Sequence, residues 1–201
     1  RGILSFISTI YDPLGLVSPA ILVAKRIVQE LTRKKVTWDE PITEPELSAW
    51  KLWVEELDML TAFKIPRCLK PGNFGQVRDV QLHHFSDASQ VAYGVVSYVR
   101  YVNTSGIVHT ALLCSKSRLA PLKTMTIPRL ELCAAALAVQ VDQSLRQELD
   151  FEVGTSHFWT DSMIVLCYIC NNDKRFQTYM ANRLSIIHNG SQPTQWCYVP
   201  T

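Results

Sequence analysis

Residues 81–89 read Gln-Leu-His-His-Phe-Ser-Asp-Ala-Ser, and this stretch decides the fold. Its apolar and aromatic residues predict a β-strand that ends at Ser86. Asp87 follows at once, between small neighbours that leave room for a ligand at the strand end. Two interpretations stay open, because a lone aspartate beside serine either belongs to a functional site or bonds its own backbone in a turn.

The segments after this strand predict an α/β fold. Two further runs of β-branched and aromatic residues, 91–101 and 107–114, predict an antiparallel meander. The later elements are a helix from Pro128 to about Leu149, a strand at 156–160, helices at 162–170 and 175–188, and a strand at 195–199. We therefore predict a mixed five-stranded sheet, a meander followed by a βαβ unit, with flanking helices and a small helical segment before it.

The chain before residue 80 is predicted to consist of a helical segment and a linker. Ser18, as an N-cap followed by Pro19, predicts a helix to about Lys35, and Thr43 to Glu46 have the capping-box spacing before a second helix. The composition then changes to Pro, Gly, Asn and Arg. The predicted domains are a helical segment over 1–65, a linker over 66–79 and the sheet domain over 80–201.

The composition indicates a folded protein and excludes a membrane span. The 201 residues are 47% apolar, and a net charge of +2 permits a local nucleic-acid-binding patch without requiring one. No apolar run approaches the roughly 20 residues that cross a bilayer. Because the first residue is Arg1, we interpret the chain as a fragment of a longer protein. The six cysteines, including Cys167 and Cys170, are interpreted as reduced core residues.

Glu131 is predicted to face the sheet. At 100° per residue it shares a helix face with Ala134, Ala135 and Ala138, whose small side chains allow close packing. A carboxylate on such a face is costly unless it is paired, hydrogen-bonded or bound to a cation. The alternative interpretation is an acid that the helix dipole stabilises in the first turn, and Asp142 lies near the same azimuth.

Asp161 lies where a predicted strand passes into a helix, so it is either an acid of a functional site or an N-cap. The combination with Asp87 and Glu131 carries the prediction, since three converging acids repel one another unless cations hold them. Mg²⁺ prefers oxygen ligands, and two ions about 4 Å apart activate water and stabilise the leaving oxygen of a phosphodiester. We predict Asp87, Glu131 and Asp161 as catalytic ligands of two Mg²⁺ ions, with Mn²⁺ as an alternative.

The chain resembles the Pol polyprotein of BEL/Pao-type LTR retrotransposons over essentially its whole length. The first part is similar to the segment that follows the reverse transcriptase palm, and the remainder is similar to the RNase H region. The motifs, in order, are Tyr11-Asp12-Pro13-Leu14-Gly15-Leu16-Val17-Ser18-Pro19, Trp38-Asp39-Glu40, Phe85-Ser86-Asp87-Ala88-Ser89, Ser117-Arg118-Leu119-Ala120-Pro121-Leu122-Lys123, Ile127-Pro128-Arg129-Leu130-Glu131-Leu132 and Trp159-Thr160-Asp161-Ser162.

This resemblance implies an RNase H-like domain that lacks its last helix and that follows a thumb- or connection-like segment in the chain. The implied activity is hydrolysis of the RNA strand of RNA:DNA hybrids, with the polymerase part of the same polyprotein as partner and no membrane. The implied location is intracellular, in a cytoplasmic virus-like particle or the nucleus. The family's fourth acid is expected beyond Thr201, so the isolated chain is expected to be weakly active or inactive.

Three functions other than hydrolysis of the RNA strand are alternatives for this chain. A noncatalytic RNase H-like module that grips nucleic acid or connects domains stays open. The family is also called a peptidase, but an aspartic protease needs Asp-Thr-Gly or Asp-Ser-Gly, and neither Asp87 nor Asp161 begins such a motif. Integrase-like transferases usually order their acids Asp, Asp, Glu, whereas the order here is Asp, Glu, Asp.

Several polar residues are predicted to contact nucleic acid. Lys116, Arg118 and Lys123 fall in the predicted loop before the Glu131 helix, where they hold phosphates or merely solvate the loop. Ser89 and Ser162 complete the predicted set. Of the adjacent His83 and His84, at most one reaches the site, because neighbouring strand residues face opposite sides of a sheet.

Overall fold

The computed structural model describes residues 1–171 and 175–200, which form helices and strands in the following order. The helices are α1 (Gly2–Thr9), α2 (Ser18–Arg33), α3 (Glu46–Glu56), α4 (Ile127–Glu148), α5 (Met163–Ile169) and α6 (Thr178–Gly190), with 3-10 turns at Leu57–Ala62 and Pro193–Gln195. The strands are β1 (Val77–Ala88), β2 (Ala92–Asn103), β3 (Val108–Leu119), β4 (Ser156–Thr160) and β5 (Trp196–Tyr198).

The strands form one mixed sheet in the order β3-β2-β1-β4-β5. β1, β2 and β3 pair antiparallel, whereas β4 runs parallel to β1 and β5 runs parallel to β4. This arrangement confirms the predicted α/β fold, a five-stranded mixed sheet made of a meander and a parallel unit. The small helical segment also precedes the sheet as predicted.

The meander strands are longer than predicted. β1 starts at Val77, inside the predicted linker, and β3 continues to Leu119. Residues 115–119, which include Lys116 and Arg118, were predicted as loop, and this was wrong because β2 supplies backbone partners along the whole hairpin, from Val96 opposite Ser115 to Ala92 opposite Leu119.

α4 covers one face of the sheet and builds the main core. Its alanines bring the helix backbone close to the strands, and Ala135 and Ala138 are completely buried. Phe158 of β4 is also completely buried in the same cluster, to which α5 and α6 contribute Val165 and Ile187. The face of α4 that carries Glu131 is therefore held against the sheet by close packing.

The predicted helix caps were wrong in detail. α2 begins at Ser18 itself, after Val17, and no side chain caps it. α3 begins at Glu46 after Pro45, again without a side-chain cap, so the capping box is absent. Glu46 instead accepts a 2.6 Å hydrogen bond from Lys34 Nζ, because the end of α2 lies against the start of α3.

The cysteines are free thiols, as predicted, but three of them are not core residues. Cys68, Cys167 and Cys170 are exposed. α5 buries only Val165 and Ile169, and Cys167 lies on its outer side. Within the described ranges, no helix has the length and apolarity that a membrane crossing requires.

The helical segment has its own small core and touches the sheet through a glycine. Ile3, Ile7, Ala24, Ile27 and Trp53 pack together. The segment meets β3 where the Ser115 amide donates to the Leu14 carbonyl at 2.8 Å and the Ser115 hydroxyl donates to the Gly15 carbonyl. The domain boundary near residue 65 stays a prediction.

Gly15 permits this contact for two reasons. Its φ of +69° lies in the left-handed region, and a Cβ at this position would stand 1.9 Å from the Ser115 carbonyl oxygen. A side chain would therefore clash with backbone that cannot rotate away. Only glycine fits between the helical segment and β3.

We predict that Gly15→Ala lowers the unfolding free energy by at least about 2 kcal/mol, since it adds a backbone clash to left-handed strain. Urea denaturation measures the change. Gly106→Ala is the matched control, because Gly106 has a φ of +79° with no atom within 4 Å of the added Cβ. Equal losses in the two variants would contradict the close approach at Ser115.

Candidate active site

The predicted acids are brought to one edge of the sheet by the parallel pair β1 and β4. Phe85 is paired with Trp159, and Asp87 and Asp161 each follow two residues later along neighbouring strands. Parallel strands end at the same edge, so the two aspartates belong to the same end of the sheet. Glu131 lies past the first turn of α4, which contains no acid, so the helix-dipole alternative was wrong. Its carboxylate reaches the residue that follows Asp161.

Ser162 links this helix to this strand end. Its hydroxyl donates a 2.6 Å hydrogen bond to Glu131 Oε2 and accepts one from the Val165 amide at 3.2 Å. Ser162 is therefore the N-cap of α5. The interpretation of Asp161 as an N-cap was wrong, because its neighbour performs that role.

Asp161 is left with an unsatisfied oxygen. Among the residues that the structure describes, Asp161 Oδ1 is the buried side-chain oxygen or nitrogen without a hydrogen-bond partner. Buried polar atoms are nearly always bonded, and an unpaired carboxylate oxygen costs more than a neutral group. An oxygen of this kind, on the residue before the serine that bonds Glu131, is suited to a cation.

Asp87 is arranged differently. It is exposed, and its Oδ1 accepts a 2.6 Å hydrogen bond from the Ala88 amide, as the turn interpretation expects. By strand alternation it lies on the Phe85 side of the sheet, away from the buried Ser86. Over residues 1–171 and 175–200, no group of three His, Cys, Asp or Glu side chains is close enough to hold a metal ion. The three-acid metal site stays a prediction.

The predicted substrate contacts occupy several places. Ser162 is buried, and its hydroxyl is already bonded to Glu131. Ser89 closes the β1–β2 turn, where its hydroxyl accepts from the Ala92 amide at 3.2 Å. Lys116 lines a cavity of about 340 Å³ together with Asp87, whereas Arg118 lines a different cavity against the helical segment. Lys116 pairs with Val95, which pairs with the buried Ser86, so strand alternation places the Lys116 side chain on the α4 face of the sheet, opposite Asp87.

Aromatic rings cover the open face of the sheet beside Asp87. Phe85 and Trp159 stack with centroids 5.8 Å apart, and His83 stacks on both Trp159 and His157. The indole Nε1 of Trp159 donates to His83 Nδ1 at 3.1 Å, so this imidazole nitrogen is unprotonated. Burial, followed by the charges of His157, Arg100 and His84, lowers the pKa of His83 to about 4.

Sequence reasoning missed a buried polar group further along the same elements. His84 and Asp142 are both buried, and His84 Nε2 lies 3.0 Å from Asp142 Oδ1. Strand alternation places His84 on the buried face, where an imidazole needs partners, and the azimuth of Asp142 matches that of Glu131. These two signals, taken together, would have predicted the pair.

A family model describes this arrangement of elements. The model of the Pao retrotransposon-like RNaseH-like domain matches residues 1–162 of the chain. The chain belongs to this family. The resemblance to a retrotransposon Pol polyprotein is thereby confirmed. No curated protein matches the chain.

Solved structures similar to this Pao-type domain are distant. RNase H1 from the halophilic archaeon Halobacterium salinarum NRC-1 is 12% identical, with 60% of this chain and 86% of that chain covered and a TM-score of 0.38. LC11-RNase H1 in complex with an RNA/DNA hybrid is 13% identical over 61% and 85%, with a TM-score of 0.36. The foamy viral protease-reverse transcriptase with double-stranded DNA is 14% identical over 100% and 34%, with a TM-score of 0.47. Similarities this low carry no argument about the activity of the Pao-type domain.

We predict that His83 makes the stability of the domain pH-dependent. Its pKa in the folded state, about 4, lies below the ordinary 6.5, so its contribution is complete above pH 6.5 and is lost as the pH falls toward 4. Urea midpoints between pH 7 and pH 4 measure this loss. His83→Gln should flatten the profile, and His188→Gln, at an exposed site in α6, should leave it unchanged. A profile that His83→Gln does not alter would disprove the assignment.

Proposed function

We propose that this domain is a metal-dependent ribonuclease H that hydrolyses the RNA strand of RNA:DNA hybrids. Its family places it in a retrotransposon polyprotein, where the polymerase region would be its partner. The proposed setting is intracellular, in a cytoplasmic virus-like particle or the nucleus. The single observation that carries the proposal is the buried, unpartnered Oδ1 of Asp161.

The donor set fits a hard divalent cation. Asp161 and Glu131 come from neighbouring elements and offer carboxylate oxygens, the ligand type that Mg²⁺ and Mn²⁺ prefer. Asp87 is the proposed third ligand, from the adjacent strand end. When bound, the metal would supply charge neutralisation and an activated water for phosphodiester hydrolysis.

The side chains around the acids have separate roles in this proposal. Ser162 fixes the direction of the Glu131 carboxylate through its 2.6 Å hydrogen bond. Lys116, which is exposed near the end of β3, attracts a phosphate of the hybrid. The stacked rings of Phe85 and Trp159 limit access of bulk water on the adjoining face.

We predict that Mg²⁺ stabilises the protein through Asp161. At ten times its Kd the ion should add about 1.4 kcal/mol, a rise in Tm of roughly 3–6 °C for a chain of this size. Asp161→Asn should abolish this rise and should be at least as stable as the wild type without Mg²⁺, since it removes an unpaired buried charge. Exposed Asp150→Asn is the control and should keep the rise. A full Mg²⁺ response in Asp161→Asn would exclude this ligand.

Cleavage of a labelled RNA:DNA hybrid tests the activity. Asp161→Asn and Glu131→Gln should each lower the rate by about 100-fold or more, because several kcal/mol of charge stabilisation is lost. Asp87→Asn should do the same if Asp87 completes the site, and Asp150→Asn should cleave like the wild type. Wild-type cleavage that all three acid variants retain would refute the nuclease proposal.

A noncatalytic module is the second candidate, and the position of Asp87 favours it. The Asp87 carboxylate is exposed and bonded to its own backbone, outside any three-ligand cluster of the described chain. Such a module would bind the hybrid with the same affinity in wild type and acid variants and cleave it in neither. Binding without cleavage at saturating Mg²⁺, by a chain extended to include the fourth acid expected beyond Thr201, therefore decides for this candidate.

A further inference from the structure

The buried polar group around Asp142 lies on the three elements that position the candidate acids. It joins His84 of β1, Asp142 and Arg146 of α4, and Ser156 of β4. Asp87 lies further along β1, Glu131 lies nearer the start of α4, and Asp161 directly follows β4. At least one member of the group therefore lies on each of the three elements that position the candidate acids.

Asp142 is the acceptor at the centre of this group. His84 Nε2 lies 3.0 Å from Oδ1, the Ser156 hydroxyl donates to the same oxygen, and Arg146 Nε donates to Oδ2 at 3.2 Å. The second nitrogen of His84 lies 2.8 Å from the Ser97 hydroxyl on β2. Both carboxylate oxygens and both imidazole nitrogens are thus bonded although the two side chains are almost wholly buried.

Arg146 extends the group into the loop before β4. Its guanidinium donates to the carbonyls of Val153 and Gly154, at 3.2 and 2.9 Å, and to the Ser156 hydroxyl at 2.6 Å. Burial raises the pKa of Asp142, but bonds from His84 and Ser156 and the charges of His84 and Arg146 hold that pKa below its usual value. The buried carboxylate therefore stays ionised and keeps all its donors at neutral pH.

The spacing along α4 connects this group to the candidate site. Asp142 follows Glu131 by eleven residues, about three turns, so the two carboxylates share a helix face about 16 Å apart. Each meets a serine of the β4 region, Ser156 at the start of the strand and Ser162 after its end. A one-residue rotation of α4 turns its face by about 100° and breaks both contacts at once.

We propose that Asp142 and Ser156 are positioning residues, which fix the rotation and height of α4 on β4 so that Glu131 meets Ser162 beside Asp161. The catalytic part of this inference rests on the proposed nuclease function, and the structural part does not. The buried pair acts through α4, and it contacts neither the candidate acids nor the cavity beside Asp87. A purely apolar helix face would pack as tightly but would not select one rotation and height of α4 on β4.

The test compares Ser156→Ala and Asp142→Asn with Ser144→Ala and Asp150→Asn, two exposed positions that provide matched substitutions. The first readout is the NMR amide signals of Glu131 and Ser162 in the complete chain. Ser156→Ala and Asp142→Asn should shift both signals, whereas the two controls should not. If Asp142→Asn does not fold, Ser156→Ala decides alone, since it leaves the Asp142 bonds to His84 and Arg146 in place.

The second readout is hybrid cleavage by the folded variants. Ser156→Ala should lower kcat by about tenfold with KM unchanged, because a small displacement of Glu131 alters the reacting geometry and not the binding surface. Unshifted Glu131 and Ser162 signals would overturn the positioning role whether or not the wild type cleaves. Lack of cleavage by a wild-type chain that includes the fourth acid expected beyond Thr201 would instead overturn the nuclease function and leave the NMR result decisive for positioning.

Discussion

Carboxylates on the sheet-facing side of α4 constrain the rest of the structure. Glu131 and Asp142 lie on a helix face that packs against strands, where an ionised group without donors is strongly destabilising. Each is satisfied by a serine hydroxyl near β4, and Asp142 also by His84 and Arg146. Since these donors come from separate elements, the acids are satisfied in one relative placement of helix and sheet.

The alanines on the same helix make this constraint effective. Small side chains let α4 approach the strands closely, so that short serine side chains reach the carboxylates. Larger residues would move the helix outward and separate both carboxylates from the serine hydroxyls that bond them. The apolar packing therefore sets the distance between α4 and the sheet, and the hydrogen bonds select its rotation.

Local sequence patterns predicted the elements but not their full extent. Alternation and β-branched residues located all five strands, and alanine content located α4, because these signals depend on neighbours within the element. The predicted end of β3 was wrong because residues 115–118 are polar, and the strand conformation up to Leu119 comes from pairing with β2. The predicted caps at Ser18 and Thr43 failed because α2 begins at Ser18 and α3 at Glu46, so neither residue occupies the N-cap position.

For the candidate site too, the sequence predicted which residues meet but not the hydrogen bonds between them. Placing Glu131 and Asp161 at one edge required only the order of strand, helix and strand, and the structure brings Glu131 to the residue beside Asp161. The role of Ser162 was not predictable, since Asp161 and Ser162 are both good N-caps and only the tertiary contact with Glu131 distinguishes them. The partners of His84 were missed because they lie 13 and 58 residues away in sequence.

The division of roles between Asp161 and Ser162 argues for function at this edge. A structural aspartate at the start of a helix would accept the free amides, yet Ser162 performs that role and leaves an Asp161 oxygen buried without a donor. The protein thus satisfies Glu131 and Asp142 internally and leaves one neighbouring acid unsatisfied. Local rules are broken mainly at functional sites, so the unpartnered oxygen of Asp161 supports the proposed cation site.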